Sequence, residues 1–195
     1  MTRSRLYFLY LPSLLSLLIL YGHVHGQRNA STFSFDHLTV DDGLSYTTVH
    51  ALLEDQLGII WAGTRFGLNR FDGYEFKVFL PDPKNPYAIK SQSILTLWND
   101  EAGNIWIGHL NGGVSVLERT TGRFLRFPFK EDNTVDWNTI TVRSIFQDSR
   151  GNLWLGTYNA GTIVFDKEYK KIAHFCNTCT PDNRKLSNDF VFDFE

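Results

Sequence analysis

The chain has 195 residues, 43% hydrophobic and 15% aromatic, so it carries enough apolar material for one good-sized core or two small ones. Its 19 basic and 21 acidic side chains nearly cancel, leaving a net charge of −2. No long basic run is present, so composition argues against direct contact with nucleic acid.

The N-terminus has the layout of a targeting segment. Arg3 and Arg5 precede the apolar run "LYFLYLPSLLSLLILY" (6–21), and "GHVHG" (22–26) leads into polar sequence at Gln27. This reads as a secretory signal peptide over 1–26, cleaved after Gly26. An uncleaved anchor helix is the alternative, since the run approaches spanning length, although Pro12 interrupts it. In either case the remainder is expected to be exported. Residues 27–43 are assigned as an N-terminal segment available as the closing strand of a ring.

From Thr48 onward the chain repeats itself. "GIIWAGT" (58–64), "GNIWIGH" (103–109) and "GNLWLGT" (151–157) are versions of one phrase, with Trp61, Trp106 and Trp154 at intervals of 45 and 48 residues. Asp55, Asp100 and Asp148 keep those intervals, as do Gly58, Gly103, Gly151 and Gly63, Gly108, Gly156. A period of this length points to a propeller or solenoid. Within each unit a first apolar run ends at Asp, an Asp-x-x-Gly turn reverses the chain into the tryptophan run, and two more short runs follow. Asp can hold backbone amides ahead of it and Gly tolerates positive φ, which suits a tight hairpin. The runs are short, β-branched and aromatic rather than apolar at three-and-four spacing, so a helical solenoid is excluded. The expected fold is all-β, with four-stranded antiparallel blades at about 44–80, 88–129 and 137–176. The three tryptophans are expected at equivalent buried positions, packing between blades. The repeated turns offer too few carboxylates for calcium.

Cys176 and Cys179 form "CNTC". Export favours a disulfide; two free thiols, or a metal or redox role, remain open. A metal site would need more ligands than these thiols and His174, and the βαβ context of a thioredoxin-like motif is missing. Near the end, "LSNDFVFDFE" (186–195) matches "LSYTTVHALLED" at Leu, Ser and Val, which places the start of a fourth blade at 186–195.

The stretch "LTVDDGLSYTTVHALLEDQLGIIWAGT" (38–64) resembles the two-component regulator propeller region of periplasmic sensors in hybrid two-component systems, whose unit runs "GLS…V…I…D…G…W.GT". His109 departs from that unit's final Thr, and Trp137 stands where the first unit has Leu44. The resemblance implies a seven-bladed propeller, of which this chain holds three blades and the start of a fourth. It also implies a periplasmic region of an inner-membrane sensor that dimerises when full length. Downstream domains would include an immunoglobulin-like domain, a membrane helix and a cytoplasmic histidine kinase with receiver and DNA-binding domains. The implied ligands are oligosaccharides, and the output is transcription of polysaccharide-utilisation genes. No cofactor and no catalytic residue are expected in this chain.

An enzymatic or a purely interacting propeller is the competing class. Acid-base chemistry would call for a constellation at the channel mouth. His109 stands alone in its loop, Glu54 belongs to a turn, and His37, His50 and His174 lack repeated partners. For ligand binding, topology selects the loops between second and third strands, which carry Arg65, Phe66, His109, Asn111, Tyr158 and Asn159. These loops vary among units with like frameworks, and their aromatic and amide groups suit sugar hydroxyls and ring faces. No metal ligands are assigned.

Overall fold

A computed structural model describes residues 34–126, 135–179 and 185–194. The segment read as a signal peptide lies outside the described residues. The chain divides into a unit over Met1–His37, of which 34–37 are described and carry no helix or strand, and a unit over Leu38–Glu195.

Among the described residues, the second unit contains three four-stranded antiparallel meanders. Blade one comprises β1 (Val49–Glu54), β2 (Ile60–Thr64), β3 (Gly67–Phe71) and β4 (Phe76–Phe79). Blade two comprises β5 (Ile94–Asn99), β6 (Ile105–His109), β7 (Val114–Glu118) and β8 (Arg123–Arg126). Blade three comprises β9 (Val142–Gln147), β10 (Leu153–Thr157), β11 (Thr162–Phe165) and β12 (Lys171–Phe175). Glu54 thus closes a strand instead of sitting in a turn.

The Asp-x-x-Gly reversal is the same in every blade. Asp55 Oδ1 accepts the amides of Leu57 (2.9 Å) and Ile59 (3.1 Å), and the Gly58 amide returns to the Asp55 carbonyl at 3.0 Å. Gly58, Gly103 and Gly151 take φ of 77°, 81° and 83°, a region that a side chain would strain. Gly63, Gly108 and Gly156 serve differently: each lies where a Cβ would strike another chain segment. At Gly63 that atom would come 2.6 Å from Ile94 Cγ2, and at Gly108 2.9 Å from the Val142 carbonyl of the next blade. Each first strand also carries an irregularity in its pairing at the same place, between Val49 and Ala51 in β1 and between Ile94 and Thr96 in β5. Nothing in the sequence pattern announces it.

The core lies between blades rather than within them. One cluster joins Trp61 and Leu68 of blade one to Ile105, Ile107, Leu117 and Phe124 of blade two. The next joins Trp106, Val114 and Val116 of blade two to Val142, Ile145, Leu153 and Leu155 of blade three. Alternation in the strands explains this, because successive side chains point to opposite faces and blade two has a neighbour on both. Backbone bonds mark the same stacking: Gly67 N–H to the Gln92 carbonyl (2.7 Å), Gly113 N–H to Ile140 (2.9 Å) and Gly161 N–H to Asp189 (3.0 Å).

The third of these bonds places 186–194 where the start of the next blade belongs, although the segment forms no strand. Equal burial of the tryptophans does not hold. Trp61 and Trp106 are 5% and 2% exposed, whereas Trp154 is half-buried against Phe175 and Phe194. Its face of the sheet is the one a further blade would cover. Among the described residues of 27–43 no strand is found; Val40–Asp42 form a 3-10 turn capped by Thr39. Cys176 and Cys179 are joined as a disulfide, which removes them as metal ligands, and His174 Nε2 lies 2.7 Å from the Ala160 carbonyl oxygen.

Candidate ligand rim and the clefts between blades

The loops joining second and third strands lie at one end of the blades, and the Asp-x-x-Gly turns lie at the other. Arg65 and Phe66 are exposed in the first such loop, and Phe66 packs on Tyr46 with ring centroids 5.0 Å apart. Tyr158 is exposed in the third and lies 4.4 Å from the ring of Phe190. These three present chemistry to solvent: a guanidinium and two aromatic faces, each already steadied by a neighbouring ring in the aromatic cases.

Asn111 and Asn159 are also exposed, yet both amides serve the framework. Thr141 donates its hydroxyl to Asn111 Oδ1 at 3.1 Å and its amide to Asn159 Oδ1 at 3.3 Å. Asn159 Nδ2 donates to the Thr139 carbonyl at 3.2 Å, and Asn111 holds a left-handed φ of 52°. The two residues therefore clamp the start of blade three from adjacent loops.

His109 is not a rim residue. It is the last residue of β6, wholly buried, with Nε2 2.9 Å from Ser115 Oγ. Burial, with the Lys90 charge nearby adding to it, pushes its pKa down to about 3 against the pull of the Ser93 backbone. A neutral imidazole results. In the other two blades the position holds Thr64 and Thr157, which also lie buried and donate to the carbonyls of Gly67 (3.1 Å) and Gly161 (2.8 Å). Loop membership in the sequence concealed that the side chain belongs to the sheet interior.

At the opposite end, the cleft between blades one and two contains side chains that the loop argument passed over: Arg70, Lys77 and Arg119. Asp55, also in this cleft, is pushed up by burial, but hydrogen bonds from Trp61, Leu57 and Ile59 and the Arg119 charge outweigh that, and its pKa is lowered overall. A signal for Arg70 existed in the repeats, because it stands where Val116 and Val164 stand.

Residues 43–66 and 136–159 match the family model described as two component regulator propeller. Both matched segments span the start of a blade, its Asp turn and its tryptophan strand. These two segments carry the two-component regulator propeller repeat. Blade two repeats the same register between the two matches, with Asp100, Gly103 and Trp106 in place. A curated relative, histidine kinase P4 of Formosa agariphila, is 42% identical over 59 residues, which is 30% of this chain and 4% of that protein. Among solved structures, the extracellular domain of BT3049 of B. thetaiotaomicron, described as a hybrid two component system, superposes with a TM-score of 0.70 at 22% identity, covering 80% of this chain and 22% of that one. PorZ, a surface component of the type-IX secretion system of Porphyromonas gingivalis, gives 0.60 at 15% identity over 76% of this chain and 23% of its own. These structural likenesses, both under 25% identity, show the fold alone. The chain spans only a small part of the length of each.

Proposed function

We propose that this chain is the exported, ligand-sensing propeller portion of a hybrid two-component sensor histidine kinase. On this reading an oligosaccharide meets Arg65, Phe66 and Tyr158 on the rim of second-to-third-strand loops. The match of residues 43–66 and 136–159 to the regulator propeller model carries the reading. The extracellular placement of the BT3049 domain and the kinase name of the Formosa relative supply its context. The guanidinium would donate to sugar hydroxyls and the two rings would cover apolar sugar faces. The inner-membrane anchor, dimerisation, the kinase and receiver domains and control of polysaccharide-utilisation genes belong to the same proposal.

Inducer dose–response in cells carrying the full-length protein tests it. Arg65→Ala or Tyr158→Ala is expected to raise the half-maximal inducer concentration at least about five-fold, the consequence of losing a contact of ~1 kcal/mol or more. Ser149→Ala, in the Asp turn at the opposite end of blade three, is expected to respond like the parent. Rim variants that bind and respond as the parent does would move the ligand site elsewhere.

A further inference from the structure

Blade one departs from the other two at a pair of adjacent positions. Across from the tryptophan, the third strand holds Val116 in blade two and Val164 in blade three but Arg70 in blade one. Across from that residue, the fourth strand holds Leu125 and Ala173 but Lys77 in blade one. Alternation puts Trp61, Arg70 and Lys77 on the same face, the one that packs on blade two. Two cations at a dry interface are costly unless partnered. The blades do not close over them: a cavity of about 290 Å³ opens there, floored by Trp61, Phe79 and Leu117 and edged by Arg70, Lys77 and Arg119.

The acids nearby are already engaged. Asp55 receives two backbone amides and, through Oδ2, the Trp61 indole at 2.9 Å. Glu118 accepts the Thr121 hydroxyl, and Asp72 pairs with Arg70 at 3.2 Å. Arg119 donates to Gln56 Oε1 at 2.7 Å. Lys77 makes no ion pair among the described residues, and its ammonium lies 5.1 Å from the Phe79 ring centroid. Trp61 and Phe79 are stacked, with interplanar angle 27° and centroids 5.9 Å apart. The result is a ring-lined hollow with three cationic heads at its edge; where blades two and three meet, Val116 and Leu125 stand in place of Arg70 and Lys77, while Lys167 of blade three stands where Arg119 does, so the repeat does not require the Arg70 and Lys77 pair.

We propose that this cleft is a second binding site, for a small organic acid whose carboxylate or sulfate meets Arg70, Lys77 and Arg119 while its six-membered ring lies on Trp61 and Phe79. Guanidinium suits planar oxyanions, and the volume accommodates a single ring with its acid group. The site lies at the Asp-turn end, away from the loops of the sensing rim, and does not depend on that rim binding anything.

Calorimetric titration of the whole exported region of the full-length protein at low salt tests the assignment, with glucuronate, benzoate, glucose and inorganic sulfate as probes. Glucuronate or benzoate is expected to bind saturably and glucose at least ten-fold more weakly; the tighter acid identifies whether the ring floor takes a sugar or an aromatic body. The double variant R70V/K77L restores the kind of residues the other blades carry. It should lose at least ten-fold in affinity while melting at or above the parent temperature. The rim variant Tyr158→Ala should stay within a few-fold of the parent, and Lys77→Gln, a change at an exposed side chain, should weaken binding on its own. The assignment is overturned if the folded chain binds none of the acids, if R70V/K77L and Lys77→Gln bind like the parent, or if inorganic sulfate binds as tightly as either acid, which would leave the ring floor without a role.

Discussion

Asp148 accepts the indole N–H of Trp154 through Oδ2 at 3.0 Å, while Oδ1 holds the amides of Arg150 (2.9 Å) and Asn152 (2.8 Å). One carboxylate thus shapes the hairpin and anchors the aromatic that the hairpin delivers. The bond recurs from Asp55 to Trp61 and from Asp100 to Trp106 at 2.9 and 3.1 Å. It ties the two most regular letters of the repeat into a single device.

The consequence of breaking that bond should follow the burial of the indole. Trp106 is almost wholly buried, so Asp100→Ala leaves its N–H without water or carboxylate and undoes the turn, at a cost of about 1–3 kcal/mol. Asp148→Ala should cost less, because Trp154 is only half-buried and water can replace the acceptor. Urea denaturation of the two variants should rank them in that order; equal losses would show that the turn, not the indole, dominates.

Gly108 sets how closely blades two and three approach. A methyl there would meet Thr96 Cγ2 and lie 2.9 Å from the Val142 carbonyl oxygen and 3.1 Å from Val142 Cγ1. Since backbone of the neighbouring blade must move, Gly108→Ala is expected to destabilise by about 1–3 kcal/mol. Gly122→Ala, with no atom within 4 Å of the added methyl but φ of 66°, separates steric crowding from backbone strain and should cost about 1 kcal/mol. Denaturant midpoints give both values.

His109 should make stability sensitive to mild acid. Its folded pKa is depressed to about 3 from an ordinary value near 6.5, so the unfolded chain binds the extra proton between those limits. Stability is therefore full above pH 6.5 and falls as pH drops toward 3, by up to about 1.4 kcal/mol per pH unit. Asp55 and Asp148, whose pKa values are lowered, act in a separate window: their contribution is present above about pH 4 and lost below it. His109→Thr, the residue of the other blades, is expected to flatten the stability profile between pH 6.5 and 4.5 and to leave the more acid step in place. An unchanged profile would mean that another group sets it.

Three blades leave sheet faces uncovered. Leu52 on the first strand of blade one is 68% exposed and Phe146 on the first strand of blade three 45%, both in positions that a neighbouring blade would cover. Repeat arrays take much of their stability from such interfaces, and large open apolar faces promote association. Residues 27–195 alone are expected to aggregate or to melt at low temperature without a sharp transition. A cooperatively melting monomer in analytical ultracentrifugation and calorimetry would contradict this.

Much of the architecture could be read before any coordinates, because a blade is a local object. Its strands are consecutive, its turns are specified by Asp and Gly three positions apart, and the recurrence of Trp61, Trp106 and Trp154 discloses the repeat without knowledge of long-range contacts. What depended on neighbours in space could not be read in this way. In the sequence His109 and Arg65 both look like loop residues beyond a tryptophan run, yet His109 is the last residue of β6 and is buried like Thr64 and Thr157, whereas Arg65 lies one position beyond its strand and faces solvent. The amides of Asn111 and Asn159 looked available in their loops, but Thr141, remote from Asn111 in sequence, engages both. Trp154 carries the same local sequence as its equivalents and differs in burial only because burial is supplied by the adjoining blade. The cleft at Arg70 and Lys77 has the same origin: two cations 7 residues apart in the chain become a site only when antiparallel pairing sets them side by side against blade two.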